Sequence, residues 1–174
     1  MKHGINLISK KKDAELHIVG PLDEQMKEYL KQRKKNETII WHGGVAHEKL
    51  ASLYQQASLF VLPSLQEGLA MVLIEAMASG LPLLATNRTG AEDIIIDAQQ
   101  GFIIDSSNSN LLAEKIAWGF ENQDELFEMG QKGAIQAKKY TWDLYGDAVT
   151  KKYEEILNQS FYENESRKER WKSV

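Results

Sequence analysis

The stretch Leu59–Gly80, LFVLPSLQEGLAMVLIEAMASG, decides the fold. Its first four residues, Leu59-Phe60-Val61-Leu62, form an apolar run that Pro63-Ser64 halts, which reads as a buried strand meeting a loop. The loop carries Glu67-Gly68, and a helix is expected from about Leu69. Gly80 stops that helix and Pro82 follows, the usual order of helix-ending residues. Met71, Val72, Leu73, Ile74, Ala76, Met77 and Ala78 leave the helix no polar face, so a buried helix is expected.

Glu75 breaks that pattern. A carboxylate inside a core costs several kcal/mol unless it is paired or gives up its charge, so a partner is required. Glu67 lies eight positions earlier, just before the helix N-terminus, where backbone N–H groups attract anions. One turn rises about 5.4 Å, so Glu75 is expected deeper along the same wall. Each acid alone has a plain explanation: Glu67 as a helix cap, Glu75 as the partner of a neighbouring Trp or Tyr. Together on a strand–loop–helix they read as a site.

Composition narrows the function classes. A chain of 174 residues, 43% hydrophobic and 26% charged, suits one soluble domain with its own core. A net charge of −4 argues against a general nucleic-acid binder. The chain has no cysteine, so disulfides and thiolate metal sites are unavailable. No apolar run approaches the roughly 18 residues of a membrane span, and the lysine-rich start lacks a signal-peptide core. The cytoplasm is the default. Ten Lys or Arg residues precede position 50, but only Arg88 falls between Leu50 and Glu114. Any anion held near Glu67 must therefore draw on helix-end amides and on something further.

Taken together, Pro63-Ser64, Glu67-Gly68 and Glu75-Ala76-Met77-Ala78-Ser79-Gly80-Leu81-Pro82 resemble the E-x7-E region of family 4 (group 1) retaining glycosyltransferases. The resemblance continues through Leu83-Leu84-Ala85-Thr86, Gly90, Asp93-Ile94-Ile95 and Gly101-Phe102-Ile103-Ile104. Upstream it takes in Leu16-His17-Ile18-Val19-Gly20 and Glu48 to Tyr54, so that Leu16 to Leu157 is covered. It is to the C-terminal, donor-binding half of the two-domain GT-B architecture. The implied fold is α/β, a Rossmann-like parallel sheet with helices on both faces. Residues 1–158 would be the nucleotide-sugar-binding domain and 159–174 a charged, fraying tail.

The resemblance implies a function as well. A hexose would pass from a UDP- or GDP-sugar to a glycan or lipid-linked acceptor with retention, without metal or cofactor. That fits polysaccharide biosynthesis in the cytoplasm and allows peripheral association at the inner face of the membrane. By resemblance, Glu67 is the catalytic carboxylate, contacting the donor sugar and facing the positive charge that develops on it. Backbone amides of Gly68, Leu69, Ala70 and Met71 meet sugar and phosphate, and Glu75 binds the ribose hydroxyls. Leu69-Ala70 replaces the family's common Phe-Gly, which puts donor identity in question. Backbone at Gly43-Gly44 is implied to lie near the base, although a simple tight turn would use the same glycines. Lys2 is the only relic of the family's phosphate-binding Arg and Lys, or else a solvated terminal lysine. The chain is therefore expected to begin inside the domain, after its first, central strand, and to lack the acceptor-binding domain.

Elsewhere the patterns predict strands at Leu16–Gly20, Thr38–Gly43, Leu83–Thr86 and Gly101–Ile104. Helices are expected at Asp23–Lys35, Glu48–Ala57, Leu111–Phe120 (capped by Asn110) and Asp124–Lys139. A last helix from Tyr140 has Trp142, Tyr145, Val149, Tyr153, Ile156 and Leu157 along one side. Glu92 and Asp93 read as helix N-terminal stabilisers, and His17 and His42 as packed strand residues. There is no Asp-x-Asp, no G-x-G-x-x-G and no Walker-A loop. Glycoside hydrolysis places its two carboxylates across a cleft, not along one loop and helix, and is disfavoured. The remaining alternatives are a nucleotide-sugar epimerase of the same fold and a non-catalytic partner or truncated paralogue of a full-length transferase.

Overall fold

The computed structural model describes the backbone of residues 14–33, 39–68 and 71–172. Strands and helices alternate in the order β1 (Leu16–Val19), α1 (Glu24–Arg33), β2 (Ile39–Gly43), α2 (His47–Gln56), β3 (Phe60–Leu62), α3 (Met71–Ala78), β4 (Leu83–Thr86), β5 (Gly101–Ile104), α4 (Ser109–Glu121), α5 (Gln123–Ala137) and α6 (Trp142–Lys172). A one-turn helix, Ala91–Asp93, joins β4 to β5. Two compact units are formed, 1–137 and 138–174.

Among the described residues all strand pairings are parallel, as the βαβ pattern of the sequence requires. They form two sheets, β1-β2 and β3-β4-β5, where one had been expected. The first, central strand that the resemblance implies falls before Met1 by that expectation, and it is not among the described strands. β4 is buried at every position and is the centre of its sheet, which suits its unbroken run Leu83-Leu84-Ala85-Thr86. Leu84, Phe102, Ile104 and Met129 form the core beneath it, with Leu59, Val61, Ile116 and Trp118 packed around them. Phe102 and Trp118 meet edge to face, with ring centroids 5.0 Å apart, a favoured aromatic geometry.

Close approach fixes α5 against α3. A Cβ at Gly130 would lie 2.1 Å from the Gly80 carbonyl oxygen, and one at Gly133 2.9 Å from Met77 Cγ. Only glycines let these backbones come so near.

Several expectations need correction. Asn108, not Asn110, caps α4, its side-chain oxygen accepting from the Leu111 N–H at 2.9 Å. It precedes the helix, the position from which a side chain can reach a free N–H of the first turn. The charged stretch from Gln159 continues the α6 backbone helix to Lys172 and does not fray from Gln159. Glu, Lys, Arg and Gln are good helix formers, so charge alone does not end a helix. Along α6, Trp142, Tyr145, Tyr153, Ile156 and Leu157 are exposed.

His17 is exposed, not packed, while His42 is half-buried. His17 Nδ1 lies 3.0 Å from His42 Nε2, and His17 Nε2 lies 3.2 Å from Glu15 Oε2. Ring nitrogens that hydrogen-bond one another and a carboxylate satisfy themselves at the surface and have no need of a core.

Candidate functional site

The loops leaving β3 and β4 at their C-terminal ends are tied together. Thr86, the buried last residue of β4, donates its hydroxyl to the Ser64 carbonyl at 2.6 Å, and Thr89 donates to the Thr86 carbonyl at 2.7 Å. The Glu67 N–H donates to the Arg88 carbonyl at 2.7 Å. These bonds set the backbone of Glu67 while leaving its side chain exposed, with Ser64 Oγ 3.4 Å from Oε1. An exposed, backbone-anchored carboxylate at the C-terminal edge of a parallel sheet stands where open α/β sheets bind ligands.

The helix beyond is not buried all round. Leu73, Ile74, Ala76 and Met77 face the core, but Met71 and Ala78 are exposed and the Glu75 side chain keeps 30% of its exposure. Residues 71, 75 and 78 follow the i, i+4, i+7 spacing of one helix stripe. Apolar residues are permitted at a surface, so an apolar sequence does not prove burial. Glu75 thus lies on the open side of α3, four residues into which it is too far along to be an N-terminal cap.

Its partners come from α2. His47, the first residue of that helix, places Nε2 3.1 Å from Glu75 Oε1. Tyr54, half-buried and edge-on to Phe60, lies near enough for its phenol to feel the same carboxylate. Burial first, then the Glu75 charge, raise the Tyr54 phenol above its ordinary value. The partner bonded to Glu75 is thus a histidine, where a Trp or Tyr had been the plain expectation. The carboxylate still retains exposed surface for a ligand. Sequence reasoning had turned Tyr54 inward and left His47 as one of four scattered histidines; their i, i+7 spacing was the signal that linked them.

The other expected site residues fall as follows. Gly68 ends the described part of the Glu67 loop, and Met71 opens α3. Gly43, at φ +69°, ends β2, and its carbonyl accepts from the Gly20 N–H at 2.8 Å. Neither Gly43 nor Gly44 has any neighbour within 4 Å of a Cβ position, so the backbone is open to a ligand there. Lys2, Leu69 and Ala70 lie outside the described residues. Glu92 and Asp93 sit in the one-turn helix, where acids are favoured. α3 itself carries no Lys or Arg, while Arg88 follows β4 and Lys49 lies on α2.

A family model described as "Glycosyl transferases group 1" matches residues 4–136. An uncharacterized glycosyltransferase of Methanocaldococcus jannaschii is 32% identical over 132 residues, 71% of this chain and 38% of the relative. The C-terminal domain of a glycosyl transferase group 1 family protein from Francisella tularensis superposes with a TM-score of 0.70 at 25% identity, over 78% of this chain and 74% of that one. The pneumococcal O-GlcNAc transferase solved with UDP and GlcNAc superposes with a TM-score of 0.72 at 24% identity, over 88% of this chain and 31% of the other. The chain thus spans well under half the length of the curated relative. With its parallel α/β fold and this match, the chain belongs to the group 1 glycosyltransferases, as their C-terminal, GT-B-type domain.

Proposed function

We propose that this chain is the donor-binding half of a retaining hexosyltransferase that uses a UDP- or GDP-sugar without a metal ion. The observation that carries the reading is the pair of acids: Glu67 exposed and backbone-anchored on the β3 loop, Glu75 on the open stripe of α3. Glu67 faces the positive charge that grows on the sugar as its bond to the diphosphate breaks. Amides of residues 68–71 meet sugar and phosphate at the start of α3. Glu75 accepts from the ribose hydroxyls. The lack of an Asp-x-Asp supports metal independence, and the UDP in the pneumococcal structure supports a uridine donor as the first to try. The acceptor, a glycan or a lipid-linked sugar, is bound by a separate N-terminal domain, so the chain alone binds donor without turnover.

Calorimetric titration of the pure chain with UDP, GDP and their common sugar conjugates tests this. Saturable binding, weakened roughly tenfold or more in Glu75→Ala, is expected, since that variant strips two charge-assisted hydrogen bonds from the ligand. Absence of binding to every nucleotide tried would overturn it.

A second reading, a non-catalytic partner of a full-length transferase, is favoured by one observation, the exposed Trp142, Tyr145, Tyr153, Ile156 and Leu157 of α6. It predicts co-purification with such an enzyme and no nucleotide binding.

A further inference from the structure

Strands β1 and β2 do not pair evenly. Leu16, His17 and Ile18 lie opposite Ile39, Ile40 and Trp41, but Val19 lies opposite Gly43, which leaves His42 as an extra residue on β2. Bulges are rare between parallel strands, and an extra residue commonly re-aims a side chain. Here His42 meets His17, with His17 Nδ1 3.0 Å from His42 Nε2. The other nitrogen of His17, Nε2, lies 3.2 Å from Glu15 Oε2. An ionised carboxylate only accepts hydrogen bonds, so Nε2 carries the hydrogen of the neutral His17 ring and Nδ1 keeps its lone pair. A single hydrogen, on His42 Nε2, then separates the two facing nitrogens. Folding does not explain the arrangement, because the Glu15 side chain keeps 61% of its exposure and exposed pairs add little. A carboxylate on the outer ring nitrogen, with the inner nitrogen free, is how metal-ligating histidines are oriented.

We propose that His17 and His42 form a two-histidine site for a divalent ion of the zinc class, with Glu15 as the residue that positions His17. The ion takes the place of the hydrogen between the rings. His42 then carries its hydrogen on Nδ1, and both imidazoles ligate in their neutral form. Two nitrogens bonded to a tetrahedral zinc ion stand about 3.3 Å apart, close to the 3.0 Å spacing of this pair, so a small rotation of two side chains admits the ion. Imidazole nitrogen suits zinc, copper and nickel rather than magnesium or calcium. Among the described residues no set of three ligating side chains is gathered, so water completes the shell. The bound ion clips β1 to β2 immediately before Gly43. It takes no part in the sugar transfer proposed above, and the site does not rest on that reading.

The zinc ion alone is the probe, titrated into the full chain. Followed by NMR, the ring signals of His17 and His42 should move first, ahead of those of His3 and His47. Calorimetry should show zinc affinity at least tenfold weaker in His17→Gln and in His42→Gln. Glu15→Ala should weaken it about tenfold, the lower end of what loss of an outer carboxylate costs a metal site. Zinc should also raise the thermal midpoint of the wild-type chain, because the paired rings exist only in the folded state, and the rise should vanish in His17→Gln. Midpoints near wild type without zinc would show that the variants fold. His17 is the more exposed of the two, so His17→Gln decides the matter if His42→Gln does not fold.

Zinc shifts confined to His3 or His47, or wild-type zinc affinity in His17→Gln, would overturn the inference. Either result leaves the reading of Glu67 and Glu75 untouched.

Discussion

At the residue scale, Glu75 acts on Tyr54. Burial and the neighbouring carboxylate hold the Tyr54 phenol above its ordinary value, because an ionised phenolate would face both a poorer solvent and a like charge. Its folded-state pKa is raised, so the associated stability is present below about pH 10 and is lost as the pH climbs through the raised value. An ultraviolet titration should show one tyrosine ionising later than the rest, and Glu75→Gln should bring it back toward them. No change on that substitution would break the link between the two side chains. A second prediction separates the acids. Glu67→Gln should leave nucleotide affinity within about threefold of wild type, since its proposed role is in the bond-breaking step, whereas Glu75→Gln should weaken it about tenfold. Equal losses, read by calorimetry with UDP, would erase that division of labour.

At the element scale, α3 depends on what it packs against. Its short, apolar run could not hold a helix alone, as helices below about 12 residues are marginal in water. Gly130 and Gly133 let α5 approach it, and the consequence is a sign contrast among glycine substitutions. Gly130→Ala places a methyl 2.1 Å from a backbone oxygen and should lower stability by about 1–3 kcal/mol. Gly146→Ala, on α6 with nothing within 4 Å, should raise helix stability by roughly 0.5–1 kcal/mol. Urea midpoints with unchanged slopes would report both, and a stabilising Gly130→Ala would contradict the close packing. Leu73, fully buried on the inner side of α3, should cost about 2–5 kcal/mol when cut to alanine.

At the scale of the whole molecule, the chain spans 38% of the length of a curated relative from Methanocaldococcus jannaschii. Donor binding without hexose transfer is the expected behaviour of the isolated chain, checked by radiolabelled sugar release to glycan or lipid acceptors. Transfer by the pure chain would contradict it.

Strand order, helix order and the parallel sense were legible because hydrophobic periodicity and glycine–proline punctuation act over a few residues. Glu75 was legible as an acid in an otherwise apolar helix, and Glu67 as an acid in the loop just before it. What sequence could not show was the side of α3 on which Glu75 falls, since an apolar helix carries no marker for its open stripe. Nor could it show that the five described strands divide into two sheets, or that His17 and His42 satisfy one another at the surface. Above all it could not show that His47, 28 positions before Glu75, closes on its carboxylate. Local pattern determines which elements form. Which side chains meet across them depends on how α2 and α3 pack, and only the tertiary structure decides that.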